Sequence, residues 1–111
     1  MDITTTTQAY ATVIRIAGSM DATTVADFDA EWKKQLEAGA GKLVVEMSGL
    51  DYISSAGLRG ILMLAKTAKM KRASLAFAGM QSMVADMFKL SGFYSILSTF
   101  PDVDTAVAQM K

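Results

Sequence analysis

Leu43-Val44-Val45 is an unbroken apolar run that follows the Gly39-Ala40-Gly41 stretch. A strand sends successive side chains to opposite faces, so apolar residues in a row leave neither face for water. Such a run suits a central strand covered on both sides, and the rest of the chain has to supply the cover. Hydrophobic residues make up 51% of the sequence, enough apolar surface for a folded core. With 111 residues the chain is expected to form one domain, residues 1–111, since a chain of this length buries one core and hardly two.

Ile3 to Thr7 and Tyr10 to Ala17 are rich in β-branched residues around a short Gln8-Ala9 step, which predicts an opening hairpin. Gly18-Ser19-Met20-Asp21 breaks that pattern. Thr23 or Thr24 can then cap a helix whose Val25, Phe28, Trp32 and Leu36 recur at helical spacing. After the Leu43 strand, Ser48 to Ile53 reads as a loop. A second helix starts near Ser54 or Ser55, with Leu58, Ile61, Leu62, Ala65 and Ala68 on one stripe and Arg59, Met63, Lys66 and Met70 on the other side. Ser74 to Ala78 alternates as a strand, Gly79 turns the chain, and Gln81 to Leu90 is helical with Val84, Met87 and Phe88 inward until Ser91-Gly92 stops it. An extended piece is expected around Tyr94 to Ser98. Asp102 can cap a last helix carrying Val103, Ala106, Val107 and Met110.

This order predicts an α/β fold: a mixed β-sheet opened by an N-terminal hairpin, with helices packed mainly on one side. Its core is expected to contain Val13, Ile14, Ile16, Phe28, Trp32, Val44, Val45, Leu58, Ile61 and Leu62. The nine methionines suit irregular gaps between helices and sheet, and a Met-lined groove around Met63, Met80 and Met83 is the competing use.

Composition narrows the chemistry. There is no His and no Cys, which removes the Ser-His-Asp triad and the usual ligands of zinc and most transition metals. Glu46 with Asp51 is a poor version of the acid cluster that a Mg2+ site needs. No enzymatic activity, cofactor or metal is therefore expected. Eleven basic residues balance eleven acidic ones, so the long-range attraction to nucleic acid phosphates is missing. No apolar stretch reaches the about 18 residues of a bilayer span. MDITTTTQAY lacks the basic start and apolar run of a secretory signal, and a cytoplasmic location is the expectation.

The most informative stretch is Leu43 to Leu62, LVVEMSGLDYISSAGLRGIL. Serines at a helix amino terminus sit beside unpaired N–H groups and the positive end of the helix dipole, where an attached phosphate would be stabilised. Capping alone also explains a serine there. Gly57 and Gly60 leave little bulk on the first turns and are expected to let a partner backbone approach.

Ser54, Ser55, Ala56, Gly57 and Leu58, with Gly18-Ser19-Met20-Asp21 upstream and Ser91-Gly92-Phe93 downstream, make the chain resemble the STAS domains of anti-sigma factor antagonists over essentially its whole length. The resemblance implies that Ser55 is the phosphoacceptor, with Ser54 as runner-up, and that Asp21 lies near it and shapes kinase recognition. It further implies a partner-binding surface around Asp21, Ser54, Ala56, Gly57, Arg59, Gly60 and Met63. By its own chemistry Asp21 reads equally as a turn residue whose carboxylate bonds nearby N–H groups. Many switching members of the family carry Asp before the acceptor, where this chain has Ser54.

Members of that family bind an anti-sigma factor that is itself a serine kinase. Phosphorylation ends the binding and a serine phosphatase restores it. The implied function is therefore that of an anti-sigma factor antagonist released by phosphorylation at Ser55. The rival from the same fold is a STAS scaffold subunit with no phosphorylation cycle, for example in a lipid transport complex. The oligomeric state is left open by the sequence.

Overall fold

A computed structural model describes residues 1–110. Strand β1 (Asp2–Gln8) turns at Ala9-Tyr10 into β2 (Ala11–Met20), and Ala9 takes a positive φ of 53° there. Helix α1 (Val25–Glu37), strand β3 (Lys42–Ile53), helix α2 (Ser55–Met70), strand β4 (Ser74–Ala78), helix α3 (Ser82–Leu90), strand β5 (Thr99–Phe100) and helix α4 (Val103–Gln109) follow. The five strands form one sheet in the order β1-β2-β3-β4-β5. β1 runs antiparallel to β2, and every other neighbouring pair is parallel.

β3 is the central strand that the apolar run required. Leu43 and Val45 enter the larger core with Ile14, Ile16, Phe28, Trp32, Ile61, Leu64, Phe77 and Phe88, which α1, α2 and α3 cover. Val44 points the other way, into a smaller core with Val13, Ala76 and Ala78. α4 covers that face through Val103, Ala106 and Val107, so among the described residues three helices pack on one side and one short helix on the other. Asp102 caps α4 as expected, accepting the Thr105 N–H at 2.7 Å.

Four local expectations are corrected. β2 does not stop at Ala17, and β3 does not give way to a loop at Ser48. Their parallel pairing continues through Ala17↔Gly49 and Gly18↔Leu50 to Met20↔Ile53, by way of two register shifts, so Ser48 to Ile53 is strand and not loop. Such irregularities bend and twist a strand without ending it. Second, Thr24 stands at the start of α1 without capping it. Its hydroxyl is engaged by the Ser19 carbonyl at 2.8 Å and by the Asp21 N–H at 2.9 Å. Third, Tyr94 to Ser98 is not extended: Phe93–Ser95 forms a 3-10 turn. Gly92 enters it at φ 76°, and Phe93 anchors it edge-to-face on Phe88 at 5.5 Å. Fourth, Leu62 is only half-buried, while Leu64, outside the expected stripe, is fully buried.

Candidate functional site

The two longest parallel strands end side by side, at Met20 and Ile53. The next residues are Asp21 and Ser54, so register alone brings them together at the carboxyl ends of β2 and β3. The Ser54 N–H donates to the Met20 carbonyl at 2.9 Å, which fastens the entry of α2 to the end of β2.

The adjacent serines then part in role. Ser54 is the extended residue before the helix, and its hydroxyl accepts the Gly57 N–H at 3.3 Å. This satisfies one of the orphan donors of the first turn, as an N-cap serine does. Ser55 is the first helical residue, exposed, and its hydroxyl takes no part in the cap. α2 has no acidic residue in its first turn, so the positive end of its dipole has no carboxylate of its own helix beside it.

Asp21 belongs to a tight turn. Its carboxylate accepts the Thr23 N–H at 2.9 Å and the Thr23 hydroxyl at 2.7 Å, and its carbonyl accepts the Val25 N–H at 2.9 Å. The two bonds from Thr23, its hydroxyl first, hold the Asp21 carboxyl below the usual carboxylate range. The turn-forming reading of Asp21 is thus realised, and Asp21 follows Met20, whose carbonyl holds the Ser54 N–H.

Gly57 and Gly60 face inward. A Cβ on Gly57 would stand 2.8 Å from the Met20 carbonyl oxygen and 2.7 Å from Ile53 Cγ1. One on Gly60 would stand 2.6 Å from Val25 Cγ2 and 3.2 Å from Asp29 Oδ1. Gly57 lets the backbone at the chain's own β2 end approach, and Gly60 makes room for side chains of α1.

The remaining residues expected at the site do converge. Ala56, Arg59, Gly60 and Met63 of α2 line one side of a groove of about 360 Å3, and Val25, Asp29 and Lys33 of α1 line the other. Met63 is 53% exposed and also borders a second hollow against Trp32 and Leu36, so the groove continues along the α1/α2 seam. Asp29 and Lys33 were not among the residues expected at the site. Their signal was the four-residue spacing Val25, Asp29, Lys33, which runs beside the apolar stripe of Phe28, Trp32 and Leu36.

Glu46 and Asp51 are engaged separately. Ser48 engages the Glu46 carboxylate through its N–H and hydroxyl, while Asp51 accepts from the Ser19 hydroxyl at 3.3 Å. Among the described residues no three of His, Cys, Asp and Glu gather as a ligand set, and no helix is long and apolar enough to cross a membrane.

The STAS domain family profile matches residues 2–106. The protein provisionally named anti-sigma factor antagonist BtrV, from Bordetella bronchiseptica, is 31% identical over 96 residues, which span 86% of this chain and 83% of that protein. An anti-sigma factor antagonist from Mycobacterium paratuberculosis has a similar crystal structure, with a TM-score of 0.90 at 15% identity over 97% of this chain and 92% of that one. The anti-sigma factor antagonist SpoIIAA in its unphosphorylated form gives a TM-score of 0.82 at 16% identity, over 98% of this chain and 96% of that one. Its phosphorylated form from Bacillus gives 0.76 at 15% identity, over 99% of this chain and all of that one.

Proposed function

The chain belongs to the STAS domain family, and on that premise we propose that it is an anti-sigma factor antagonist working by partner switching. Unphosphorylated, it binds an anti-sigma factor serine kinase through the first two turns of α2 and the α1/α2 groove. The kinase then transfers the γ-phosphoryl of ATP to the Ser55 Oγ, with release of ADP and the hydroxyl proton, and the complex separates. A serine phosphatase resets the protein. These partners set the protein to work in the cytoplasm. ATP and Mg2+ belong to the kinase, and this chain acts as substrate and ligand, not as an enzyme.

The observation that carries this reading is the inequality of the two serines. The Ser54 hydroxyl is occupied as the cap of α2, whereas Ser55 is exposed on the first turn. A phosphate on Ser55 adds about 1.5 to 2 negative charges to a docking surface while leaving the cap in place. A charge set against an acidic partner group, or stranded without water, opposes association. The Asp21 turn, tied to the same strand ends, gives the kinase a fixed carboxylate next to the acceptor helix.

The reading is tested by incubating the protein with its cognate kinase and ATP and mapping the product by mass spectrometry. One phosphate on Ser55, retained in Ser54→Ala, supports it. A phosphate on Ser54 or on the threonines of β1 contradicts it.

A second reading has one observation in its favour: Ser54 stands where a carboxylate would precede the acceptor. On that reading the same α2 surface packs permanently in a scaffold, such as a lipid transport complex, and Ser55 is never modified. Pull-down of the unphosphorylated protein from its own cell extract separates the two, since one retains an ATP-binding kinase and the other a membrane transporter subunit.

A further inference from the structure

We propose that Arg59 is the residue that receives the phosphate on Ser55, so that phosphorylation forms a pair within α2 and withdraws the Arg59 guanidinium from the docking groove. This rests on the reading that Ser55 is phosphorylated, and it specifies what the phosphate does once there.

Ser55 is the first residue of α2 and Arg59 lies four residues on, so both project from one face of the helix about 5–6 Å apart at Cβ. Both are exposed. The other residues three or four positions from Arg59 on this helix are Ala56, Leu62 and Met63, none with a polar side-chain group. α2 carries Arg59, Lys66 and Lys69 and no carboxylate, so before modification Arg59 has no anionic neighbour on its own helix.

The charged side chains that line the groove with Arg59 are Asp29 and Lys33 of α1, and Asp21 follows the end of β2. The Asp29 carboxylate accepts the Trp32 indole N–H at 3.1 Å, and Thr23 engages that of Asp21. A phosphate on Ser55 therefore finds a cation on its own helix face in Arg59, with Lys33 on the far wall. A guanidinium can meet two phosphate oxygens at once, which an ammonium cannot. The Arg59 end of the groove, cationic and free to meet a partner carboxylate, becomes net anionic with its guanidinium turned onto its own helix.

The test uses the full chain with phosphoserine installed at position 55 during translation, which needs no kinase. A nearby guanidinium favours the dianion, so the second ionisation, ordinarily near about 6, moves down. By 31P NMR the titration midpoint should lie about 0.5 pH units lower in the parent than in Arg59→Gln, about threefold in acid constant, with Arg59→Lys between them. Both variants alter an exposed side chain, and a 15N correlation spectrum checks that the fold is intact. Equal midpoints in parent and Arg59→Gln overturn the pair. So does an upward shift in Lys33→Gln as large as that in Arg59→Gln. If phosphoserine weakens kinase binding while the midpoints are equal, the switch stands and the pair falls. A shifted midpoint with unchanged kinase binding leaves the pair standing and removes the switch.

Discussion

The Ser54 hydroxyl accepts the backbone N–H of Gly57 at 3.3 Å, and through this one bond two neighbouring serines are set apart, one occupied as the cap and the other outside it. The cap fixes the start of α2 at Ser55, so the acceptor proposed for the phosphate sits on the helix and the residue before it holds the helix in place.

Ser54→Ala should therefore lower stability by about 1 kcal/mol, the usual cost of losing a serine N-cap. Ser55→Ala, which removes a hydroxyl outside the cap, should leave the unfolding free energy within about 0.5 kcal/mol of the parent. Urea unfolding of the two single variants checks the contrast, and equal losses would contradict the assignment of the cap to Ser54 alone.

The glycines of α2 make a second, graded prediction. Gly57→Ala drives a Cβ against the Met20 carbonyl, which the Ser54 N–H holds in place, so little can yield. Gly60→Ala meets the tip of Val25, a side chain that can shift at some cost. Gly41→Ala meets nothing within 4 Å. Overpacking typically costs about 1–3 kcal/mol. The expected order of destabilisation is Gly57→Ala, then Gly60→Ala, with Gly41→Ala near neutral. Thermal melts of the three rank them, and a neutral Gly57→Ala would contradict the packing of α2 on β2.

Acid stability follows from hydrogen-bonded carboxylates. The Thr5 hydroxyl and then the Gln35 amide hold the Glu31 carboxyl below its ordinary value, Thr23 does so for Asp21, and the Thr105 N–H for Asp102. Each folded-state value lies below the unfolded one, so the folded protein binds fewer protons. The contribution is complete above the ordinary carboxylate range near about 4 and is lost as pH falls through the lowered folded values. With no histidine to charge, stability should be nearly flat from about pH 5.5 to 7 and decline below about pH 4.5. Melts across pH 3 to 7 measure this, and Glu31→Gln should make the acid decline shallower. A decline that begins near pH 6 would contradict it.

Much of this was legible in the sequence. The opening hairpin, the order of elements and the central place of Leu43-Val44-Val45 follow from side-chain period and from where glycines interrupt it. Of what was not, three features bear on the site. The continuation of β3 through Gly49 depends on pairing with β2, a non-local contact that a strand-breaking Gly cannot foretell. The inward role of Gly57 and Gly60 depends on how closely α1 and the end of β2 approach, which no spacing along α2 contains. Asp29 and Lys33 join the site only because the α1/α2 seam puts them opposite Arg59.

Arg59 gives the groove its charge beside Ser55, so Arg59→Glu should weaken kinase binding by at least about tenfold, about 1.4 kcal/mol, without changing the fold. Ser55→Asp should weaken it by less than true phosphorylation does, because a carboxylate carries less charge and bulk than a phosphate. Ser55→Ala should bind like the parent and never be released by ATP. Three titrations against the unphosphorylated parent check these, and tight binding by Arg59→Glu would remove the first two turns of α2 from the interface.

The most direct measurement is titration calorimetry of the purified kinase with the protein before and after stoichiometric phosphorylation of Ser55. A loss of about a hundredfold in affinity, about 2.8 kcal/mol, is the predicted result. Equal affinity for the two forms would contradict the switch and leave a STAS scaffold that binds without release.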